Sequence, residues 1–255
     1  MANFRGKFRF GFIRILTATC GICSIAWAIS SIPVYRTDAA FASAAQHILS
    51  GEKYTPDQLN ILKLRLEATP AGLLGPLALS NIVVIRLQMA ITELASGNAQ
   101  PAPSGLGDLD TAVTATLAEN PTNSFLWLTE YWLQDVRDGK TSADPKLLRM
   151  SYLLGPNEGW IALRRSPVTL SVFSSLPDDL AEKAVTEFAG LVRSGFYVDA
   201  ANILAGPGWA VHDKLLASLA PIDEGGRRWF AKVLESKNVE GVTVPGVDNK
   251  RSRPF

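Results

Sequence analysis

From Ile15 to Tyr35 the chain runs 21 residues without a charged side chain. As a helix that stretch is about 31 Å long at roughly 1.5 Å per residue, enough to cross the hydrocarbon core of a bilayer. Its polar residues, Thr17, Thr19, Ser24, Ser30 and Ser31, give it no charged face to turn toward water, which argues against a buried helix in a globular core. Arg5, Lys7, Arg9 and Arg14 precede Arg36 with no acid among them, while the rest of the chain holds 21 basic and 24 acidic residues. The positive-inside rule then makes residues 1–14 a cytoplasmic basic segment and 15–35 a transmembrane helix or signal anchor in contact with lipid. Residues 36–255 are expected on the far side. A cleaved signal peptide competes, since Ala26-Trp27-Ala28 fits the small-x-small pattern read by signal peptidase. The apolar stretch continues past it through Ile29, Ile32 and Val34, which favours the uncleaved anchor.

Both cysteines, Cys20 and Cys23, fall inside this stretch, so no disulfide can form in the remainder. Their Cys-Gly-Ile-Cys spacing matches a redox dithiol, but hydrocarbon raises a thiol's pKa where such chemistry needs a thiolate. Thr19, where a lipoprotein box has Gly or Ala, argues against lipidation at Cys20. A net charge of +1 argues against the basic field of a nucleic-acid binder.

Residues 36–237 read as one helical domain, a succession of helices punctuated by Pro and Gly with almost no strand alternation. The clearest helix follows Pro177: Asp178 and Asp179 suit its positive end, Leu180, Ala184, Phe188 and Leu191 keep one face apolar, and Arg193 and Gly195 close it. Another begins at Asn120-Pro121-Thr122, carries Phe125, Leu128, Trp132 and Val136 on a face expected to be buried, and stops at Gly139. Similar patterns predict helices near 38–51, 56–68, 76–96, 107–119, 143–154, 158–174, 198–205, 210–219 and 224–236. Short linkers should fold neighbours into antiparallel hairpins. Ala71–Ile85 is also free of charge, but its 15 residues, Pro76 and the following Arg86 mark a buried helix rather than a second span. The connector Asn98–Gly107, with Pro101, Pro103 and two glycines, is expected to part an N-terminal helical section from a more regular second half. Residues 238–255, ending in Lys250, Arg251 and Arg253, read as a flexible tail.

Asn120-Pro121 and Gly155-Pro156 lie 35 residues apart, close to the roughly 34-residue tetratricopeptide period. Trp127 takes the first-helix aromatic position, Ala143 the small position of the second helix, and Pro156 falls one place after the consensus turn. Glu130 and Tyr131 replace the Leu-Gly pair, and Gln134 the second-position Tyr. The segment resembles a degenerate tetratricopeptide-like unit, which implies an all-α fold: an N-terminal transmembrane helix followed by stacked antiparallel helix hairpins. The run Leu148-Arg149-Met150-Ser151, with Gly155-Pro156-Asn157-Glu158-Gly159-Trp160 and Ala162-Leu163-Arg164-Arg165, resembles small inner-membrane-anchored bacterial proteins associated with surface-polysaccharide assembly. That resemblance implies a periplasmic body and, as partner, a polysaccharide polymerase or export complex. It brings no catalytic residues.

The two histidines, His47 and His212, have no second ligand at metal spacing, so no metal is expected. Nucleophile-elbow, Walker and dinucleotide-binding patterns are absent, so no cofactor is expected either. In Gly206-Pro207-Gly208-Trp209 the proline removes an N–H that a phosphate cradle would need. Asp178-Asp179, Asp108-x-Asp110 and Asp223-Glu224 sit at predicted helix starts, where acids stabilise the dipole. Glu130 lies mid-helix beside Trp127 and Tyr131. Trp127, Tyr131, Arg149, Trp160 and Arg164 form the candidate interaction surface, set against a packing role for the same residues, which stacked helix pairs favour by burying two faces of each helix; Arg164 and Arg165 read as surface or interhelix ion-pair partners. The balance points to a non-enzymatic adaptor or scaffold that binds other envelope membrane proteins. The alternatives are a glycan-acting hydrolase using Glu130 with a distant acid, or a glycan-binding protein without catalysis.

Overall fold

The computed structural model describes residues 2–52, 54–70, 74–95, 103–139 and 143–247, with backbone only for 2–13 and 103–104. Among them the regular structure is entirely helical, eleven α-helices with two short 3-10 turns and no strand. Two compact units divide the chain, residues 1–112 and 113–255. The division falls within helix α4 (Pro103–Glu119) rather than in the connector Asn98–Gly107, whose residues 98–102 lie outside the described ones.

The first unit is built on α1 (Ala2–Leu49), a single helix of 48 residues that joins the apolar stretch and the helix expected from residue 38. Pro33 inside it removes one hydrogen-bond donor. Alanines at 39, 40, 42, 44 and 45, the strongest helix formers, carry the helix onward. The helix from Arg14 is long and apolar enough to cross a membrane, and its side chains are exposed. Further along, Phe41, Ala44, Ala45 and Ile48 recur at helical spacing and are buried.

After a turn, α2 (Pro56–Glu67) opens with a capping box: Gln58 N–H donates to Thr55 Oγ1 at 3.3 Å and Thr55 N–H to Gln58 Oε1 at 2.9 Å. Helix α3 (Pro76–Ala95) packs on α1. Its Ala78, Ile82, Val83, Val84, Ile85 and Ala90 are buried, so the charge-free stretch Ala71–Ile85 contributes a core helix.

In the second unit α5 (Ser124–Asp138) pairs with α6 (Pro145–Leu154), and α7 (Gly159–Ser171) with α8 (Asp178–Arg193). Asn123 and Asp144 cap α5 and α6 by accepting from Phe125 N–H and Lys146 N–H. Helices α9 (Tyr197–Ala205), α10 (His212–Ala217) and α11 (Glu224–Ser236) gather around α8. There Phe188 and Phe230 meet edge to face, their centroids 6.1 Å apart. The segment expected to be flexible from residue 238 instead stays packed to Val247. Val244 is buried and Val239, Val242 and Val247 lie against the same core, while Arg227 Nη1 donates to Pro245 O. Residues 248–255, with the three terminal basic side chains, lie outside the described residues.

Candidate functional site

Glu187 faces the core rather than solvent because it follows Leu180 by seven residues and Ala184 by three, which puts it beside the apolar stripe of α8. Arg165, four residues after Ile161, is likewise carried inward from α7. The guanidinium has no exposed surface and uses all five of its N–H groups. Nε donates to Glu187 Oε2 at 2.9 Å, Nη1 to Ser151 O at 2.8 Å and Ser151 Oγ at 3.0 Å, and Nη2 to Gly155 O at 3.1 Å and to Glu187 Oε2. Ser151 and Gly155 stand in the last turn and C-cap of α6, the negative end of the helix dipole, where a cation is favoured. Arg165 therefore ties α6, α7 and α8 together.

The other carboxylate oxygen of Glu187 accepts from Ser166 Oγ at 3.1 Å and Tyr152 Oη at 3.3 Å, and the Arg165 guanidinium carbon lies 4.0 Å from the Tyr152 ring centre. Burial pushes the Glu187 carboxyl above its ordinary range, against the pull of Arg165 and the two hydroxyls. Burial and the neighbouring Glu187 push the Tyr152 phenol far up. Nothing in this network offers a free donor to a ligand, so its work is positional.

Above it lies a groove of about 660 Å³, lined on one side by Tyr152, Asn157 and Gly159 and on the other by the length of α8 and Phe196. Its exposed charged residues carry both signs, Asp179 and Glu182 against Lys183 and Arg193. Asp179 is engaged by Arg149 in a two-pronged pair, Nε to Oδ2 and Nη2 to Oδ1, both at 2.8 Å. That hydrogen-bonded guanidinium holds the Asp179 carboxyl below its ordinary range. Gly190 leaves the groove open, since a Cβ there would meet no atom within 4 Å.

The five residues expected to form one interaction surface separate. Trp160 and Arg164 stay together, the guanidinium carbon 6.0 Å from the indole, with Trp160 also 5.3 Å from the Phe125 ring. Partial burial lowers the Arg164 pKa. Arg149 is joined to Asp179 at the groove. Trp127 donates from Nε1 to Pro121 O at 2.8 Å, within its own helix entry. Tyr131 departs from the expectation: it is only 3% exposed, whereas Trp132, read as buried, is half-buried. Helix α5 packs on two sides, burying Leu126 and Leu133 as well as Phe125 and Leu128, and Tyr131 falls between them.

Glu130 accepts from Gln134 Nε2 at 3.2 Å, and its Oε2 is buried without a hydrogen-bond partner. Among the described residues no three His, Cys, Asp or Glu side chains converge to hold a metal ion. The sequence reading missed Glu187, Lys183 and Gly190. The signal for Glu187 was a charge at the edge of an apolar stripe. No protein family, curated protein or solved structure matches the chain.

Proposed function

We propose that this protein is a membrane-anchored adaptor of the bacterial envelope, held in the inner membrane by residues 15–35 with its N-terminus cytoplasmic and its helical body in the periplasm. The observation that carries the reading is α1: its apolar half is exposed, yet the same helix continues without a break into buried Phe41. Ile15, Leu16, Ile22, Ile25, Ile29 and Ile32 are all exposed. At roughly 1.5–3 kcal/mol each for leaving water, lipid stabilises this helix by on the order of 10 kcal/mol. The first core residue is six positions past Tyr35, about 9 Å along the helix, so the anchor keeps the folded body at the membrane and raises its effective concentration toward membrane partners.

The groove along α8 is the binding face of this adaptor. Its interspersed charges suit a polypeptide segment better than an acidic glycan, which would call for basic residues throughout. Tetratricopeptide-like hairpins bind proteins in this manner, and the resemblance to polysaccharide-assembly proteins names a polymerase or export complex as the partner. The test is a photo-crosslinking residue at Asn157 in the full chain, used in intact cells, with a periplasm-dependent reporter fused to the C-terminus in parallel. An adduct with an inner-membrane protein and an active reporter are expected. Adducts between copies of this chain alone, or a reporter active only in the cytosol, would overturn the proposal.

A further inference from the structure

Gly75, the residue before α3, lies against α1. A Cβ built on it would be 3.5 Å from Val34 Cγ1 and 3.1 Å from Asp38 Oδ2. Helix α3 starts there, with Leu79 N–H donating to Gly75 O at 3.0 Å. Helix α3 packs on α1, whose residues 14–30 are exposed and whose buried side chains, Phe41, Ala44, Ala45 and Ile48, all lie past Val34 and Asp38, so α3 runs away from the apolar stretch and only its first turn stands beside the end of that stretch. Pro76 and Leu77 in this turn are exposed, Leu77 by 69%, and Tyr35 on α1 by 66%.

Leu77 is two residues beyond Gly75, about 3 Å of helical rise, which sets it a few ångströms past Tyr35. A 21-residue span fills the hydrocarbon core, and the headgroup layer adds roughly 5–7 Å on each side. Leu77 and Tyr35 therefore share the depth at which aromatic and amphipathic side chains anchor proteins to the lipid interface. Leu77 is flanked by uncharged Pro76 and Ala78, within the charge-free run Ala71–Ile85, while the charged residues at this level, Arg36 and Asp38, stand on α1 where the headgroup layer begins.

We infer that the first turn of α3, through Pro76 and Leu77, seats in the headgroup layer of the bilayer beside the point where α1 leaves it. The first unit thus touches the membrane at two places, the span and this turn, and cannot swivel freely on its anchor. The occupant is lipid rather than a protein because the patch is continuous, through Val34, with a helix whose remaining surroundings are lipid. This inference rests on the anchor reading.

The test uses the full chain with Cys20→Ala and Cys23→Ala, reconstituted in phosphatidylethanolamine–phosphatidylglycerol vesicles and labelled with nitrobenzoxadiazole at one introduced cysteine, L77C, I25C or S50C. Lipids carrying a nitroxide at acyl carbon 5 or 12 serve as quenchers. I25C should lose most emission to the deep quencher, and S50C, about 22 Å beyond Tyr35 along α1, should lose none. L77C should lose emission to the shallow quencher and less to the deep one. Quenching of I25C with none at L77C would overturn the inference and leave the anchor standing; loss of quenching at I25C would overturn the anchor itself. A blue-shifted but unquenched L77C label would place a protein surface there, a second copy or another chain, and would overturn the lipid assignment.

Discussion

Arg165 on α7 and Glu187 on α8 form an ion pair almost wholly withdrawn from water, their side chains 0% and 6% exposed. Removing two charges from water costs several kcal/mol, and the pair persists because each remaining polar atom of both groups is hydrogen-bonded. The carboxylate also sits under the groove, so the bond that joins three helices sets the positions of the groove walls.

Truncating one partner leaves the other charge buried and alone. Arg165→Met should destabilise the protein by about 3–5 kcal/mol, and the double substitution Arg165→Met with Glu187→Leu should recover much of that loss. Thermal unfolding of the full chain in detergent, followed by circular dichroism at 222 nm, measures both. Equal damage from the single and double variants would show that the ion pair is not what holds α6 to α8.

Gly155 is required by contact rather than by a left-handed backbone. A Cβ on it would stand 2.6 Å from Ser124 Oγ and 2.7 Å from Ser124 Cβ, and Ser124 is itself buried and bonded to Ser151 O at 2.7 Å. Gly155→Ala should therefore cost about 1–3 kcal/mol as overpacking. Adding Ser124→Gly should return part of it, because both obstructing atoms are removed. Denaturant titration of the two variants decides the matter.

The stripe Leu180, Ala184, Phe188 and Leu191 was legible because one helix with one buried face imposes a simple period, and all four residues are buried. The starts of α6 and α8 were legible for a related reason, since caps and prolines act within a few residues; α5 instead begins at Ser124 behind its cap Asn123, past the expected Asn120-Pro121-Thr122, which forms a turn. Tyr131 was not legible, because α5 is covered on two sides and a single stripe cannot describe it. The continuity of α1 was hidden because Arg36 and Asp38 end the apolar stretch without ending the helix, which the alanines after them carry on. The five-bond environment of Arg165 draws on three helices, and no local pattern encodes such a meeting. Val239 to Val247 alternates with polar residues and glycines, and only the core it covers shows that it is packed.

The Arg149–Asp179 pair makes stability depend on acid. Asp179 titrates below its unfolded value, so the pair's contribution is complete above about pH 4 and is lost as pH falls through the lowered folded value. Asp179→Asn should remove that part of the acid dependence, and 1 M salt should weaken it, since both side chains are exposed to screening ions. Carboxyl carbon chemical shifts followed against pH read the site directly. An Asp179 titration at the ordinary aspartate value would show that the pair does not persist in solution.

Gly190 separates fold from function. It lies within α8 and lines the groove, yet a side chain there meets no protein atom at its Cβ. Glycine inside a helix costs roughly 0.5–1 kcal/mol relative to alanine, so Gly190→Leu should hold or slightly raise the melting temperature. The leucine projects into the space that a partner segment would fill. Crosslinking from Asn157 to the proposed partner should then fall several-fold while the protein stays folded, whereas Gly190→Ala should gain stability and keep most of the crosslink. Undiminished crosslinking by the folded leucine variant would move the binding face away from α8. A collapse in stability would mean that the groove is filled by the protein's own atoms in solution.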